Sequence, residues 1–112
     1  MKVLFIGGTG VISSACSELA LQQGIDLTLL NRGQTQRPAA EGAKYLHGDI
    51  SDPAIAELLA DHTWDAVVDW IAFSPEHIQR DIDLFRGRTE QFVFISSVRH
   101  VYLLLVLYGN HI

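Results

Sequence analysis

The residues best suited to chemistry form a glycine-rich turn near the start of the chain. The apolar run 3–6 leads into Gly7-Gly8-Thr9-Gly10, and apolar residues at helical spacing follow. Gly7 can adopt a positive φ, which lets the chain turn sharply out of a strand. Gly10 has no Cβ, so a pyrophosphate can approach the backbone and accept hydrogen bonds from the first helical turn. The pattern therefore predicts a phosphate site at Gly7, Thr9, Gly10, Val11 and Ile12.

A glycine pattern alone is a weak signal, and the surroundings of this turn make it specific. The turn follows a buried-strand pattern and opens an amphipathic helix, as in dinucleotide-binding βαβ units. Ser13 stands where such turns usually carry a third glycine, whose role is close packing of the helix on the strand. The alternative is a structural turn in another kind of α/β protein.

The glycine turn must be positioned by strands and helices, and the patterns typical of these elements alternate along the chain. Two helix starts carry a capping residue followed by proline, at Asp52-Pro53 and Ser74-Pro75. The patterns predict strands at 3–6, 25–30, 44–46, 66–70 and 92–95, and helices at 11 to about 20, about 53–60 and 75 to about 85. This alternation predicts a Rossmann-like three-layer α/β fold with a parallel sheet in the order 3-2-1-4-5, truncated after strand 5. The ligand crevice lies where strands 1 and 4 diverge.

Four motifs, in chain order, carry a family resemblance. They are the opening 2–13, Leu30-Asn31-Arg32-Gly33 after strand 2, Gly48-Asp49-Ile50 after strand 3, and 92–97 at strand 5. Residues 1–97 thereby resemble the N-terminal NAD(P)-binding part of the extended short-chain dehydrogenase/reductases, the NAD-dependent epimerase/dehydratase family. The family's Gly-x-x-Gly-x-x-Gly turn is matched at its first two glycines and departed from at Ser13. The motifs are specific for the family and not for a substrate.

The end of strand 2 is where dinucleotide folds discriminate NAD from NADP. A carboxylate there accepts hydrogen bonds from the ribose 2′-hydroxyl of NAD and would repel the 2′-phosphate of NADP. This chain carries Asn31-Arg32 instead, and Arg32 could bind that phosphate through a two-pronged contact. Asp26 lies at the beginning of the strand, too far from the crevice. The position favours NADP, and the alternative is that Arg32 is a solvated loop residue.

The resemblance also implies roles on the adenine and nicotinamide sides of the cofactor. Asp49 would accept a hydrogen bond from the adenine amino group, and Ile50 would pack on the ring. The alternative for Asp49 is that it orders the turn before the next helix, and both roles can hold together. Trp70 ends strand 4, where the family's backbone passes the nicotinamide-side ribose, and it could equally be a core residue.

The catalytic residues that the resemblance implies are largely missing. The family uses a tyrosine as general acid/base, a lysine four residues later and a serine or threonine that orients the substrate hydroxyl. Ser97 matches the serine position, and Ser96 beside it is assigned to the cofactor-binding residues. Tyr102 and Tyr108 are each followed four places later by an aliphatic residue, so the Tyr-x-x-x-Lys pair is absent. As written, the chain is not expected to turn over substrate.

The last residues depart from the family's sequence. Residues 98–112 form an atypical hydrophobic tail after the N-terminal half at 1–97. One hypothesis is a truncation or a frameshift near codon 98, because removing one base there can restore a family-like Ser-Ala-Met-Tyr. The alternative is a short added helix or strand that covers the edge of the sheet. The exposed leucines of 103–107 predict a homo-oligomer, a dimer or larger.

Composition limits the class of protein and its partners. The chain has 112 residues, of which 48% are apolar and 19% charged, as expected of one globular domain. A net charge of −5 with no basic run argues against nucleic acid and anionic membrane surfaces. The single cysteine, Cys16, and the absence of a signal-peptide pattern favour the cytoplasm.

The other charged and imidazole side chains suggest no second site. The five histidines show no metal-ligand spacing, so no metal is expected. His77 and Asp81, four residues apart on one helix, are interpreted as a solvated pair. Arg80, Arg86 and Arg88 alternate with acidic residues and are interpreted as a solvated face.

Two functions are compatible with these features of the sequence. The first is the NAD(P)-binding part of an epimerase, dehydratase or reductase acting on a sugar nucleotide or another hydroxyl or carbonyl compound. The second is a non-catalytic, redox-sensing regulator that resembles the atypical members of the same superfamily. The missing Tyr-x-x-x-Lys pair suits both.

Overall fold

A computed structural model describes residues 1–7, 11–31, 42–70, 74–98 and 101–108. This part of the chain contains six strands and three helices. In order they are β1 (Lys2–Ile6), α1 (Val11–Gln22), β2 (Asp26–Asn31), β3 (Lys44–His47), α2 (Ile55–Leu58), β4 (Trp64–Asp69), α3 (Pro75–Phe85), β5 (Thr89–Val98) and β6 (Val101–Tyr108).

The strands form one sheet in the order β3-β2-β1-β4-β5-β6. The first five strands of that order run parallel, which confirms the predicted order 3-2-1-4-5. Ile6 at the end of β1 lies opposite Leu30 of β2 on one side and Asp69 of β4 on the other. The carboxyl ends of the central strands therefore share one edge.

Apolar side chains project from both faces of the sheet, so a hydrophobic core forms on each face. Successive residues of a strand point to opposite faces. Leu4 and Ile6 belong to the core that also contains the apolar residues of α2 and α3. Val3 and Phe5 belong to the core on the α1 side. Helices thus cover both faces of a buried parallel sheet, and the predicted three-layer arrangement is confirmed.

Two predicted helices match the structure and one differs. α1 ends before Gly24, whose φ of +79° allows its N–H to reach Leu21 O at 3.1 Å. Ser74 caps α3 by accepting a hydrogen bond from His77 N–H at 3.3 Å. The helix expected over about 53–60 is α-helical only at Ile55–Leu58. It is preceded by i→i+3 hydrogen bonds, from Ile55 N–H to Asp52 O at 2.9 Å and from Ala56 N–H to Pro53 O at 3.4 Å, and Asp52 Oδ1 caps this turn by accepting from Ala54 N–H at 2.9 Å.

The hydrophobic tail contributes a sixth strand. β6 pairs antiparallel with β5, and the register joins Phe94 to Leu105 and Ser97 to Tyr102. From 101 to 108 the structure therefore has the edge strand that was one of the two alternatives for the tail. β5 extends to Val98, so Ser97 lies within the strand and not just past it, because the pairing with β6 continues that far. No helix in the described ranges is long and apolar enough to cross a membrane.

Candidate functional site

Backbone hydrogen bonds bring several predicted site residues to one edge of the sheet. Gly7 N–H donates to Leu30 O at 3.0 Å, and Trp70 N–H donates to Ile6 O at 3.0 Å. Gly48 N–H donates to Asn31 O at 2.8 Å. The residues that follow β1 and β3 are thus held beside the end of β2, and the residue that follows β4 is held beside the end of β1. This edge is where ligands bind in open α/β sheets.

The glycine turn connects β1 to α1 at the centre of this edge. Gly7 has a φ of +82°, a left-handed conformation that strongly favours glycine. α1 begins at Val11, so its first N–H groups, which have no acceptor within the helix, lie at the carboxyl edge of the sheet. Thr9 and Gly10 lie outside the described residues, and Val11 and Ile12 are described only as backbone.

The loop after β3 is tightly packed. Asp49 is half-buried, and its Oδ1 accepts a hydrogen bond from Ser51 N–H at 2.8 Å. The turn-ordering role that was one alternative for Asp49 is therefore present. Ile50 is only 6% exposed and packs in the core on the α2–α3 side. Gly48 approaches α2 so closely that a Cβ there would lie 2.7 Å from Ile55 Cδ1.

Trp70 combines a core contact with a polar atom that lacks a partner. Its ring meets Phe5 edge to face, with centroids 5.6 Å apart. Its Nε1 is buried and has no hydrogen-bond acceptor among the described residues. A buried indole N–H usually has an acceptor. Trp70 therefore offers a donor at the carboxyl end of β4.

A buried ionic cluster that was not predicted from the sequence lies just behind this edge. Asp69 ends β4 and Asp81 lies in α3, and both are 0% exposed. Arg80 Nε lies 3.1 Å from Asp81 Oδ1, and Arg80 Nη2 lies 3.9 Å from Asp69 Oδ2. Arg80 Nη1 also donates to Ser51 Oγ at 3.3 Å. One guanidinium thus joins the end of β4, helix α3 and the loop after β3.

The environment of this cluster favours the neutral form of Asp81. Burial raises the pKa of Asp81 to about 9, and the hydrogen bond and negative charge of Asp69 act in the same direction. Arg80 opposes these effects through its charge and its hydrogen bond, but it does not outweigh them. At neutral pH Asp81 is therefore a neutral carboxyl group beside the Arg80 guanidinium.

The structure corrects the prediction of a solvated charged face. Asp81 is fully buried, so it does not form a solvated pair with His77. Arg80 is half-buried in the cluster, and Arg88 is half-buried and donates to Leu59 O. Only Arg86, 60% exposed and 3.9 Å from an Asp83 oxygen, matches the prediction.

A sequence signal for the buried cluster did exist. Asp81 lies three residues after Ile78 and four before Phe85, which places it on the apolar face of α3. Asp69 lies two residues after Val67 and so shares that residue's face of a buried strand.

The remaining site residues divide between described and undescribed parts of the chain. Arg32 lies outside the described residues, and Ser96 and Ser97 are described only as backbone of β5. Asp26, at the start of β2, forms an ion pair of 3.3 Å with Lys44 at the opposite end of the strand from the crevice. Within the described ranges, no three His, Cys, Asp or Glu side chains are grouped as metal ligands.

The strand order, the two covered faces and the glycine turn define a Rossmann-type α/β domain. A model of the NAD-dependent epimerase/dehydratase family matches residues 3–93. The chain belongs to this family, and the resemblance seen in its motifs is confirmed.

Individual relatives agree with the family assignment. The UDP-glucose 4-epimerase of Lactobacillus helveticus is 34% identical over a 90-residue alignment that covers 76% of this chain and 27% of that protein. The chain thus spans about a quarter of the length of this curated relative.

Solved structures show the same fold. Epimerase Mth375 of Methanothermobacter thermautotrophicus matches with a TM-score of 0.67 at 20% identity, over 83% of this chain and 34% of that one. WbmG of Bordetella bronchiseptica, solved in complex with NAD, matches with a TM-score of 0.68 at 16% identity, over 84% and 36%.

Proposed function

We propose that this chain binds an NAD(P) dinucleotide along the carboxyl edge of its sheet. The observation that carries the proposal is the left-handed Gly7, with φ +82°, between the end of β1 and the start of α1. This arrangement directs the free N–H groups of a 12-residue helix toward the edge where β1 and β4 end. Such N–H groups, together with the helix dipole, favour a diphosphate.

Each side of the dinucleotide has proposed contacts. The phosphates bind the backbone of the turn and the first residues of α1, from Gly7 to Ile12. Asp49 accepts from the adenine amino group, and Ile50, although only 6% exposed, borders the ring. The Trp70 Nε1 donor, buried without an acceptor in the described part of the chain, fits a polar cofactor atom at the end of β4.

The ribose next to the adenine decides between NAD and NADP. Asn31 ends β2 at this edge, and Arg32 follows it. We propose that Arg32 binds a 2′-phosphate, so that NADPH binds more tightly than NADH. Arg32→Ala would remove this preference and leave NADH affinity unchanged.

The proposed parent reaction is that of an epimerase, dehydratase or reductase on a sugar nucleotide or a similar hydroxyl or carbonyl compound. The relative from Lactobacillus helveticus, a UDP-glucose 4-epimerase, supports this substrate class. When bound, the nicotinamide supplies hydride transfer. Ser97, with Ser96 beside it, would hold the substrate hydroxyl. Because the 112 residues contain no Tyr-x-x-x-Lys pair, we propose that they do not catalyse the reaction by themselves.

A non-catalytic, redox-sensing regulator is the second candidate. One observation favours it: Ser97 pairs in register with Tyr102 of β6, so a strand follows where a catalytic segment is expected. A Tyr-x-x-x-Lys pair downstream in the gene, in this or a neighbouring frame, would favour the enzyme. A downstream sequence without family motifs would favour the regulator.

The dinucleotide site is tested by fluorescence titration of the chain with NADH and NADPH. Gly7→Ala is expected to weaken binding at least tenfold, since a side chain at this φ displaces the turn. Gly24→Ala is the matched control, because its φ of +79° imposes a similar strain at the other end of α1. It is expected to lower stability by about 1–2 kcal/mol without changing affinity. No binding by the wild type, or equal binding by Gly7→Ala, would refute the proposal.

A further inference from the structure

We propose that Arg80 is a positioning residue for the adenine side of the dinucleotide pocket, holding the loop after β3 against the buried carboxyl groups of Asp69 and Asp81. The inference rests on the proposed dinucleotide site. Arg80 itself lies behind the loop and need not touch the cofactor.

The contacts of Arg80 divide between the core and the loop. Nε and Nη2 face the buried carboxyl groups, at 3.1 Å from Asp81 Oδ1 and 3.9 Å from Asp69 Oδ2. Nη1 faces the loop, at 3.3 Å from Ser51 Oγ. The guanidinium is planar and its donors are fixed relative to one another. Because the hydrogen bond from Nε to Asp81 Oδ1 orients the guanidinium plane, it restricts the direction of Nη1.

The buried carboxyl groups keep Arg80 in this position. Both carboxyl groups are 0% exposed, and the Arg80 side chain is 26% exposed. If Arg80 turned toward solvent, the buried Asp81 carboxyl group would lose the hydrogen bond that it accepts from Nε, which is unfavourable. The arginine is therefore a more rigid support for the loop than an exposed surface side chain would be.

Ser51 links Arg80 to Asp49, the proposed adenine contact, because it is hydrogen-bonded to both residues. Ser51 N–H donates to Asp49 Oδ1 at 2.8 Å, and Asp52 N–H donates to Asp49 O at 2.9 Å. Because Ser51 itself is exposed, its contact with Arg80 restrains a part of the loop that burial does not hold. Holding Ser51 fixes the direction of the Asp49 carboxylate, the proposed acceptor for the adenine amino group.

Ser51→Ala and Arg80→Lys test the inference in two ways. Ser51→Ala removes the loop's acceptor and leaves the buried cluster intact, while Arg80→Lys keeps the charge but loses the fork of donors. Arg86→Leu is the matched control, because Arg86 is 60% exposed at the end of the same helix. The measurements are ADP and NADH affinity, and amide hydrogen exchange of the chain without nucleotide.

Both test variants are expected to weaken ADP and NADH binding by about fivefold. This value follows if the loop has its binding conformation in about one fifth of the molecules, because the apparent affinity falls in proportion to that fraction. Amides of Ser51, Asp52 and Ala54 should exchange faster, while those of β1 stay as protected as in the wild type. Faster exchange throughout the sheet would indicate general destabilisation and overturn the inference.

The outcomes separate this inference from the proposed function. If the wild type binds neither ADP nor NADH, the proposed function fails, and the inference fails with it. If the wild type binds both and Ser51→Ala and Arg80→Lys retain full affinity, only the inference is overturned. If Arg86→Leu weakens ADP binding as much as the test variants do, the effect is one of surface charge and the inference is again overturned.

Discussion

The buried carboxyl pair predicts an unusual loss of stability as the pH rises through neutrality. Burial and the neighbouring Asp69 raise the pKa of Asp81 from 3.8 to about 9 in the folded chain. Between these values the folded state keeps a proton that the unfolded chain has lost. Stability therefore decreases steadily across this range and levels off above it. Asp81→Asn is expected to remove this dependence, because an amide resembles the neutral carboxyl in shape and hydrogen bonding.

The size of the effect follows from the number of protons. A difference of one bound proton changes the free energy of unfolding by about 1.4 kcal/mol per pH unit. From pH 6 to pH 8 the wild type is thus expected to lose about 2.7 kcal/mol through this pair. Typical domains have a total stability of about 5–15 kcal/mol, so the loss is readily measured.

Urea denaturation at pH 6, 7 and 8, followed by tryptophan fluorescence at constant ionic strength, measures this dependence. Comparing the wild type with Asp81→Asn cancels the contributions of other titrating groups. Asp83→Asn is the control, because Asp83 lies on the same helix but its side chain is 62% exposed. Equal pH dependence in the wild type and Asp81→Asn would refute the raised pKa of Asp81, and loss of the dependence in Asp83→Asn would assign it to surface charge.

Three further predictions concern packing, capping and association. Gly48→Ala places a Cβ 2.7 Å from Ile55 Cδ1 and is expected to cost about 1–3 kcal/mol of stability in urea denaturation, and to weaken ADP binding. Ser74→Ala removes the acceptor for His77 N–H and is expected to cost about 1 kcal/mol by the same assay, while Ser74→Asp retains the cap. The apolar edge strand β6 at 101–108 is expected to drive the chain into dimers or larger species, and a clean monomer in light scattering would contradict this.

The order of the parallel strands could be predicted because the sequence signals are local. Each parallel strand is a short apolar run, and helices lie between β1 and β2, between β3 and β4, and between β4 and β5. Right-handed crossovers then leave few possible topologies. The pairing of β6 with β5 could not be predicted in this way, because an apolar run such as 101–108 also suits a buried helix. The frameshift hypothesis for the tail stays a prediction, which sequencing of the gene would test.

The site was predictable in part for the same reason. The glycine turn is a local motif, and its conformation at Gly7 agrees with the prediction. The buried cluster depends on contacts between residues far apart in sequence, Ser51 with Arg80 and Asp69 with Asp81. Charged residues in an alternating stretch are usually solvated, and that general expectation outweighed the position of Asp81 on an apolar helix face.

A buried ionic cluster seldom stabilises a fold more than apolar side chains of the same volume would. We therefore attribute the role of this cluster to the position that it gives the Arg80 side chain. Apolar side chains could fill the space between β4 and α3, but they could not extend a fixed hydrogen-bond donor from the core to exposed Ser51, as Arg80 does. The two sides of the proposed pocket then have different origins. The phosphate side depends on a turn encoded within residues 7–12, whereas the adenine side depends on a loop held by the completed β4–α3 packing. A peptide that contains only β1 and α1 carries the first side and lacks the second.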